Sequence, residues 1–292
     1  RDSCYVANDT FRLEGKTVRL PVIGKVRLRE TLRFNGKIMS ATVSRQADQW
    51  HLAVQVDVGE NYCKPAFAVR APVVGVDLGV KHLAVLSNGE VFDGPKALDK
   101  NLKKLRLLNK SLSRKKKGSS NRRKAKDKVA RQHLKVANVR KDGLHKLTSR
   151  LLHENQVLVI EDLNVSGMVK LHSLARHVAD QGFGELRRQL TYKAPIHGAV
   201  LVVADRWFPS SKRCSSCGKV KAELSLSERE YACDWCGVLE DRDVNAAKNL
   251  EQLGWATADV KPVERKALVP DLKGSGTKPF SVKQESPGDV CS

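Results

Sequence analysis

The chain has 292 residues, of which 53 are lysine or arginine and 32 are acidic, so its formal net charge is +21. This length suffices for one large or two modest domains, and a hydrophobic content of 41% excludes a disordered chain. The excess of cations predicts a polyanionic partner, because lysine and arginine replace the counterions around phosphates. A merely basic or ribosome-like protein is the alternative.

Membrane insertion and secretion are not expected. No apolar run reaches the roughly 18 residues that a membrane span requires, and the first residues lack the apolar stretch of a signal peptide. Cys4, Cys63 and Cys291 are scattered, which fits a reducing cytosol better than a disulfide framework. We therefore predict a cytoplasmic protein with no membrane partner.

Residues 1–71 predict a small β-rich domain, either a barrel or a sandwich. Residues 10–58 are β-like, with Gly15, Pro21 and Gly24 as turn signals. The stretches SATVS and WHLAVQV are typical of two hairpin strands around a polar turn. The sequence has no initiating Met and begins as if inside a domain, so we expect this domain to be incomplete.

The next segment, residues 72–209, predicts an α/β unit with a mixed sheet. VVGVDLG, HLAVLS and EVF predict three consecutive strands, with Ser87-Asn88-Gly89 as a tight turn. VLVIEDL (157–163) and AVLVVAD (199–205) are unbroken apolar runs that predict buried strands, and GELRRQLTYKAPIHGA predicts a helix between them. VNAAKNLEQL (244–253) predicts a last helix, and residues 256–292 a mostly disordered tail.

Residues 96–152 predict a basic helical hairpin that turns at Gly118-Ser119-Ser120. Residues 101–150 contain 19 lysine or arginine residues and two acidic ones. Leucines recur there at helical spacing, so one helix face is expected to pack while the other presents cations to nucleic-acid phosphates. A solvated charged surface is the alternative. The candidate phosphate contacts are Lys103, Lys104, Arg106, Arg114, Lys115, Lys116, Lys117, Arg122, Arg123 and Lys124.

Two CxxC pairs predict a structural zinc site. Fifteen residues separate the two pairs, and a glycine follows each pair, which allows the backbone to turn tightly around a metal ion. Four cysteine ligands close the coordination shell, so the zinc is expected to stabilise the fold without taking part in chemistry. A thioredoxin-like redox pair is the alternative, but it leaves the second pair unexplained. The predicted ligands are Cys214, Cys217, Cys233 and Cys236.

Just before the first CxxC pair, the sequence FPSSKRC follows Trp207. We interpret Trp207 and Phe208 as packing residues. Ser210 and Ser211 are interpreted as turn formers first and as phosphate contacts second.

Three acidic residues stand at positions that favour a metal site. Asp77 lies in the first strand of the α/β unit, Glu161 ends a buried strand, and Asp243 begins the last helix. A carboxylate in an apolar strand is unfavourable unless its charge is compensated, and carboxylates are the ligands that Mg²⁺ prefers. Two such ions can hold the attacking water and the leaving oxygen of a phosphodiester.

Each acid also has a plain structural alternative. Asp77 fits a turn or a salt bridge, Glu161 an ion pair with the basic helices, and Asp243 an ordinary N-cap. Only the three together favour a metal site. Four neighbouring acids rank lower as ligands, namely Asp93, Asp162, Asp205 and Asp241.

Four stretches in order, GVDLGVKHLAVLSNG, VIEDLNVSGM, FPSSKRCSSCG and YACDWCGVLEDRDVNAAKNL, resemble the motif series of the TnpB (OrfB) proteins of bacterial insertion sequences. Those proteins are similar to the RuvC-type nuclease half of type V CRISPR effectors. The resemblance implies an α/β, RNase H-like (RuvC) mixed sheet with a helical insert and a zinc ribbon. It divides the chain into a wedge-like domain (1–71), the RuvC-like segments (72–209 and 237–255) and the ribbon (210–236).

The resemblance also implies an activity. In this transposase-type family, Asp77 of GVDLG, Glu161 of IEDL and Asp243 of DRDVNAA would bind Mg²⁺ and cut DNA that a guide RNA from the mobile element has located. It implies DNA and that RNA as partners, Zn²⁺ as a structural ion, and a location at the bacterial nucleoid. Family members usually carry a further helical recognition region that this sequence does not show. A truncated or inactive nucleic-acid-binding regulator of transposition or transcription is therefore the alternative, whereas the intact acidic triad favours a magnesium-dependent DNA endonuclease.

Overall fold

The computed structural model describes residues 3–59, 71–225 and 227–258. Two compact units divide them: the first contains residues 3–59 and 107–134, and the second contains residues 71–106, 135–225 and 227–258. From residue 259 onward, the tail predicted for 256–292 lies outside the described residues. Among the helices described, none combines the length and the apolar character needed to cross a bilayer.

The first unit contains two antiparallel sheets of three strands, with the orders β1-β5-β6 and β2-β3-β4. They share an apolar core that includes Phe11, Val18 and Ala41, and they leave an open cavity of about 650 Å³. The long β5–β6 hairpin contains the two predicted strands SATVS and WHLAVQV. The strands are β1 (Ser3–Ala7), β2 (Arg12–Glu14), β3 (Thr17–Leu20), β4 (Gly24–Arg27), β5 (Lys37–Gln46) and β6 (Gln49–Asp57).

The second unit is built on a five-stranded mixed sheet of order β11-β10-β7-β8-β9, as the sequence predicts. Its first three strands in this order are parallel, and β8 and β9 join them in antiparallel fashion. The predicted turn at Ser87-Asn88-Gly89 is present, with Gly89 at a φ of 87°. The strands are β7 (Ala71–Asp77), β8 (Ala84–Leu86), β9 (Val91–Phe92), β10 (Asn155–Glu161) and β11 (Val200–Ala204).

The prediction of a buried strand is wrong for β11. It forms one edge of the sheet, and Val200 and Val203 are 52% and 36% exposed. An unbroken apolar run indicates a strand but does not distinguish a central position from an edge. The same reasoning is correct for β10, which lies between β7 and β11 and is buried along most of its length.

Six helices and a short hairpin complete the described chain. The two helices of the basic hairpin are separated by a turn in which Gly118 has a φ of 81°. Helices α3 and α4 were not predicted. Helix α3 has only 4 residues, and α4 is short and has no side chain that caps its N-terminus. The elements are α1 (Ala97–Ser113), α2 (Ser120–Glu154), α3 (Val165–Met168), α4 (His172–Gln181), α5 (Phe183–Ile196), β12 (Glu230–Ala232), β13 (Leu239–Asp241) and α6 (Arg242–Thr257).

A buried carboxylate anchors the base of the basic hairpin within the second unit. Asp180 of α4 accepts hydrogen bonds from the backbone N–H of Leu98, at 2.9 Å, and from Arg140 Nη2, at 2.8 Å. It therefore caps the N-terminus of α1 and pairs with α2 at once. Sequence spacing gives no sign of this contact, which joins residues about eighty positions apart.

Helices cover both faces of the five-stranded sheet. The even-numbered apolar residues of β7 and β10 pack against α2 and α5, and the odd-numbered ones pack against α6. Helix α6 approaches β7 very closely at Gly75, where a Cβ atom would lie 1.9 Å from the carbonyl oxygen of Ala247. Glycine is required here because any side chain would push α6 off the sheet.

Candidate functional site

The first two predicted acids end neighbouring parallel strands. Asp77 is the last residue of β7 and Glu161 the last of β10, and the register pairs Val76 with Ile160. Both acids are odd-numbered, so both belong to the face that α6 covers. The alternation of the two strands thus brings Asp77 and Glu161 to the same edge and the same face of the sheet.

Helix α6 brings the third acid to the same edge of the sheet. Gly75 of β7 contacts Ala247 of α6. Asp77 lies two residues further along the strand, and Asp243 lies about one turn earlier in the helix. Both steps cover a similar distance of about 6 to 7 Å along the two elements. The electrostatic influence of Asp243 on Asp77 agrees with this placement. We call Asp77, Glu161 and Asp243 the acidic site.

Asp243 does not cap α6, so the N-cap alternative for it is wrong. Asp241 is the N-cap, and its Oδ1 accepts hydrogen bonds from the backbone N–H of Asp243, at 2.9 Å, and of Val244, at 3.1 Å. This leaves the carboxylate of Asp243 in the first helical turn, free of capping. The two aspartates of DRD therefore have separate structural positions.

The carboxylates of the acidic site are held in an unfavourable environment. Burial, followed by the charges of Glu161 and Asp243, raises the pKa of Asp77 well above its ordinary value, and Arg242 offsets only part of this. Burial also raises the pKa of Glu161, against a hydrogen bond from Ser210 and the charge of Arg242, which lower it. A divalent cation would reverse both shifts, because it stabilises the charged carboxylates.

Asp77→Asn is expected to stabilise the protein at neutral pH in buffer without added divalent ions. A carboxyl group whose folded-state pKa is raised contributes stability below its unfolded pKa and loses it as the pH rises through the folded pKa. At neutral pH the charge of Asp77 therefore opposes folding, and the uncharged amide should gain about 1 kcal/mol. Thermal unfolding at pH 7 and pH 5 measures this, and the gain should shrink at pH 5.

Asp162→Asn is the matched control. Hydrogen bonds from Arg187 and Arg206 lower the pKa of Asp162, so this variant should lose stability at pH 7. A lower melting temperature for Asp77→Asn than for the unchanged protein would contradict the interpretation of the acidic site as a charged cluster in need of cations.

Two residues near the acidic site were missed or misinterpreted. Arg242 was not singled out, yet its guanidinium donates to the carbonyl oxygens of Ser225 and Glu228, at 3.1 and 3.4 Å, and its charge acts on Asp77 and Glu161. Ser210 is more than a turn former, because it is buried and its hydroxyl donates a hydrogen bond to Glu161 Oε1. Neither contact has a sequence signal beyond proximity to a motif.

The acids that ranked lower have other partners. Asp162 accepts hydrogen bonds from Arg187 and Arg206, and Asp205 accepts one from the backbone N–H of Trp207. Asp93 pairs with His82 at 2.9 Å. The packing interpretation holds for Phe208, which contacts the core beneath α6, but it is wrong for Trp207, which is 86% exposed.

The four cysteines form the one compact group of metal-type side chains in the described part of the chain, with all four sulfur atoms within 4.8 Å of one another. The Sγ atoms of Cys214 and Cys236 are 3.6 Å apart, as are those of Cys217 and Cys233. Four sulfurs at about 2.3 Å around a tetrahedral zinc lie about 3.8 Å apart, whereas a disulfide bond measures about 2.05 Å. The geometry therefore fits a metal ion and not a disulfide.

The two CxxC turns have the same backbone structure. Gly218 and Gly237 adopt a φ of 76° and 70°, and each donates its N–H to the first cysteine of its pair at 3.0 Å. The backbone amide of Cys236 lowers the pKa of Cys233 to about 6, which favours the thiolate form of that cysteine. A backbone hydrogen bond with Lys219 lowers the pKa of Cys217, but burial and the other three cysteines outweigh it and raise this pKa to about 12. A bound cation would stabilise all four thiolates.

Nine of the ten candidate phosphate contacts in the basic hairpin are exposed. The exception is Arg122, which is half-buried and donates to the carbonyl oxygens of Leu112 and Lys115, at 3.0 Å each. Arg122 therefore holds the turn of the hairpin together. The exposed nine are Lys103, Lys104, Arg106, Arg114, Lys115, Lys116, Lys117, Arg123 and Lys124.

The fold is that of the RuvC-like nucleases. Among solved structures, the "Cryo-EM structure of the Cas12f1-sgRNA-target DNA complex" matches with a TM-score of 0.53 and 18% sequence identity, over 73% of this chain and 45% of that one. The family model OrfB_IS605, described as "Probable transposase", matches residues 53–179. A second model, "Cas12f1-like, TNB domain", matches residues 183–250.

Two relatives share the name "Putative RNA-guided DNA endonuclease". The one from Streptomyces pristinaespiralis is 44% identical over 247 residues, and InsQ of Escherichia coli (strain K12) is 36% identical over 273 residues. The matches cover 84% and 85% of this chain, and the chain spans 59% and 67% of those proteins. The chain belongs to the TnpB (OrfB) family of insertion-sequence proteins.

Proposed function

We propose that the protein is a transposon-encoded, RNA-guided DNA endonuclease that hydrolyses phosphodiesters at the acidic site. The proposal is supported by the ends of β7 and β10 and the first turn of α6, which carry Asp77, Glu161 and Asp243, and by burial and the charges of the other two acids, which raise the pKa of Asp77. A purely nucleic-acid-binding regulator would have no use for carboxylates in so unfavourable an environment. The names of the two relatives support the same activity.

Mg²⁺ fits the acidic site because its donors are carboxylate oxygens and the site is rich in negative charge. When bound, two such ions supply positive charge at the attacking water and at the leaving oxygen. The charges of Glu161 and Asp243 both raise the pKa of Asp77, which supports a shared role for the three carboxylates. Asp77, Glu161 and Asp243 are the residues that would hold these ions.

The remaining assignments follow from the same reasoning. The cysteine cluster holds Zn²⁺ as a structural ion, supported by sulfur separations close to those of a tetrahedral site. We propose a wedge-like domain (1–71), a RuvC-like domain in two segments (72–209 and 237–255) and the ribbon (210–236) between them. The proposed partners of the protein are DNA and a guide RNA from the mobile element, and its proposed location is the cytoplasm, at the nucleoid.

The test is cleavage of labelled target DNA by the protein bound to its guide RNA. Cleavage should require Mg²⁺ and should stop when Mg²⁺ is replaced by Ca²⁺, which binds carboxylates in a looser geometry. DNA binding should persist in Ca²⁺. Cleavage without any divalent ion, or binding without cleavage in Mg²⁺, would refute the proposed activity.

Neutralising Lys115, Lys116 and Lys117 to glutamine is expected to weaken nucleic-acid binding. All three side chains are exposed in the turn of the basic hairpin. Each lost phosphate contact should reduce the log–log slope of affinity against salt by about one. Filter binding or fluorescence anisotropy over a range of salt concentrations measures the slope.

Lys146→Gln serves as the control for this experiment. Lys146 belongs to the same hairpin, on α2, but its charge pairs with Asp142 at 2.8 Å, so its removal should leave the slope unchanged. A triple variant with the slope of the unchanged protein would show that the three lysines are only solvated surface.

A further inference from the structure

We infer that Ser210 is a positioning residue for Glu161, and that Asn249 holds Ser210 in place from helix α6. This inference rests on the proposed function, since it concerns how the acidic site binds its metal ions. It assigns a role to a serine outside the acidic site and to an asparagine that carries no charge.

The first step is the contact with Glu161. The Ser210 hydroxyl donates to Glu161 Oε1, and only 4% of Ser210 is exposed. A glutamate side chain has several freely rotating bonds, and a single buried donor on one oxygen removes most of that freedom. The other oxygen, Oε2, has no hydrogen-bond partner among the described residues and is the one available to a cation.

The second step is the support of Ser210 itself. Asn249 is fully buried, and its Nδ2 donates to the carbonyl oxygens of Ser210, at 2.8 Å, and of Arg213, at 2.6 Å. The side-chain amide of Asn249 has two N–H donors, and each of them is used by one of these two carbonyl oxygens. Asn245 adds a further bond to Arg213 O at 2.8 Å.

The third step is the position of Asn249 in the helix. Asn249 and Asp243 lie on the same helix, α6, and Ser210 lies four residues before Cys214. One chain of hydrogen bonds thus runs from α6 through Ser210 to Glu161. The helix that supplies one acid of the site also fixes the orientation of another acid, which comes from β10.

The experiment is a titration of the purified protein, with its zinc in place, by Mn²⁺, followed by electron paramagnetic resonance. Mn²⁺ prefers the same oxygen ligands as Mg²⁺ and is directly visible. Ser210→Ala should weaken Mn²⁺ binding by about tenfold to a hundredfold, the usual effect of removing a group that orients a metal ligand. Ser210→Thr keeps the hydroxyl and should recover most of the affinity.

Two further variants separate positioning from folding. Asn249→Asp replaces the NH2 group, which supplies both N–H donors, with an oxygen that faces the two carbonyls, and should also weaken Mn²⁺ binding. Ser211→Ala removes the neighbouring serine and should leave binding unchanged. The melting temperature of Ser210→Ala in buffer without added divalent ions should stay within a few degrees of the unchanged protein, since one small buried group is removed.

The outcomes distinguish this inference from the proposed function. Mn²⁺ binding that Asp77→Ala removes and Ser210→Ala weakens supports both. Binding that Asp77→Ala removes but Ser210→Ala leaves intact overturns the role of Ser210 alone. Binding that Asp77→Ala does not affect overturns the metal site at Asp77, and the inference with it.

Discussion

Asp77→Ala, Glu161→Ala and Asp243→Ala are each expected to reduce DNA cleavage in Mg²⁺ by roughly a thousandfold or more, because each removes a metal ligand on which transition-state stabilisation depends. Nucleic-acid binding should remain nearly intact, since losing a carboxylate makes the site more positive. The measurement is single-turnover cleavage of labelled DNA by the protein with its guide RNA, alongside binding in Ca²⁺.

The DRD motif supplies a matched pair of controls for this prediction. Asp241 caps α6, and asparagine is an equally good N-cap, so Asp241→Asn should cut almost normally. Asp241→Ala removes the cap and should lower stability by about 1 kcal/mol. Loss of cleavage in Asp241→Asn together with cleavage by Asp243→Ala would show that Asp241, and not Asp243, belongs to the acidic site. Cleavage by all three variants Asp77→Ala, Glu161→Ala and Asp243→Ala would show that the acidic site is not where DNA is cut.

Cys214→Ser is expected to remove the zinc and to unfold the segment around the cysteine cluster. Structural zinc sites contribute about 10 kcal/mol or more to the folding of small metal-dependent modules. The effect should reach the acidic site, because Ser215 N–H donates to Asn245 of α6 at 2.9 Å and Gln252 donates to Ser215 O at 2.6 Å. Metal analysis should give one zinc per chain for the unchanged protein and less for Cys214→Ser, and the rate of DNA cleavage should fall as well.

Cys4→Ser is the control for that variant, because Cys4 is an exposed residue of β1 and takes no part in the cluster. It should keep both the zinc and the melting temperature. A zinc-free Cys214→Ser protein that melts like the unchanged one would refute a structural role for the metal.

The three acids around the second CxxC pair have three different tasks, which explains their concentration in so basic a chain. Glu240 pairs with Lys248 and accepts a hydrogen bond from Ser215 Oγ at 3.2 Å. Asp241 caps the helix, and the charge of Asp243 raises the pKa of Asp77. Sequence position alone could not separate these tasks, because all three acids lie within four residues.

Local patterns were enough to predict much of the fold. The alternation and turn signals of β5, β6 and β7 to β9 predicted strands that the structure contains, and the leucine spacing of the basic hairpin predicted α1. The sequence also predicted Asp77 in the first strand of this unit and Glu161 at the end of the strand that is β10. These features depend on residues within one or two elements.

Features that depend on distant contacts were not predictable in this way. Gly75 looks like an ordinary strand residue until α6 is placed on it, and Ser210 looks like a turn residue until Glu161 is placed beside it. The exposure of Trp207 and of β11 likewise depends on which elements stop short of covering them. A single sequence contains no signal for such pairings.

The contact between Gly75 and α6 also bears on when the acidic site forms during synthesis of the chain. Asp77 emerges from the ribosome early, but it joins Asp243 only after the intervening strands, the basic hairpin and the cysteine cluster have been made. Contacts so far apart in sequence form late, because a long loop must close first. The basic hairpin is therefore synthesised well before the acidic site is complete, and docking of α6 onto β7 is the step that completes that site.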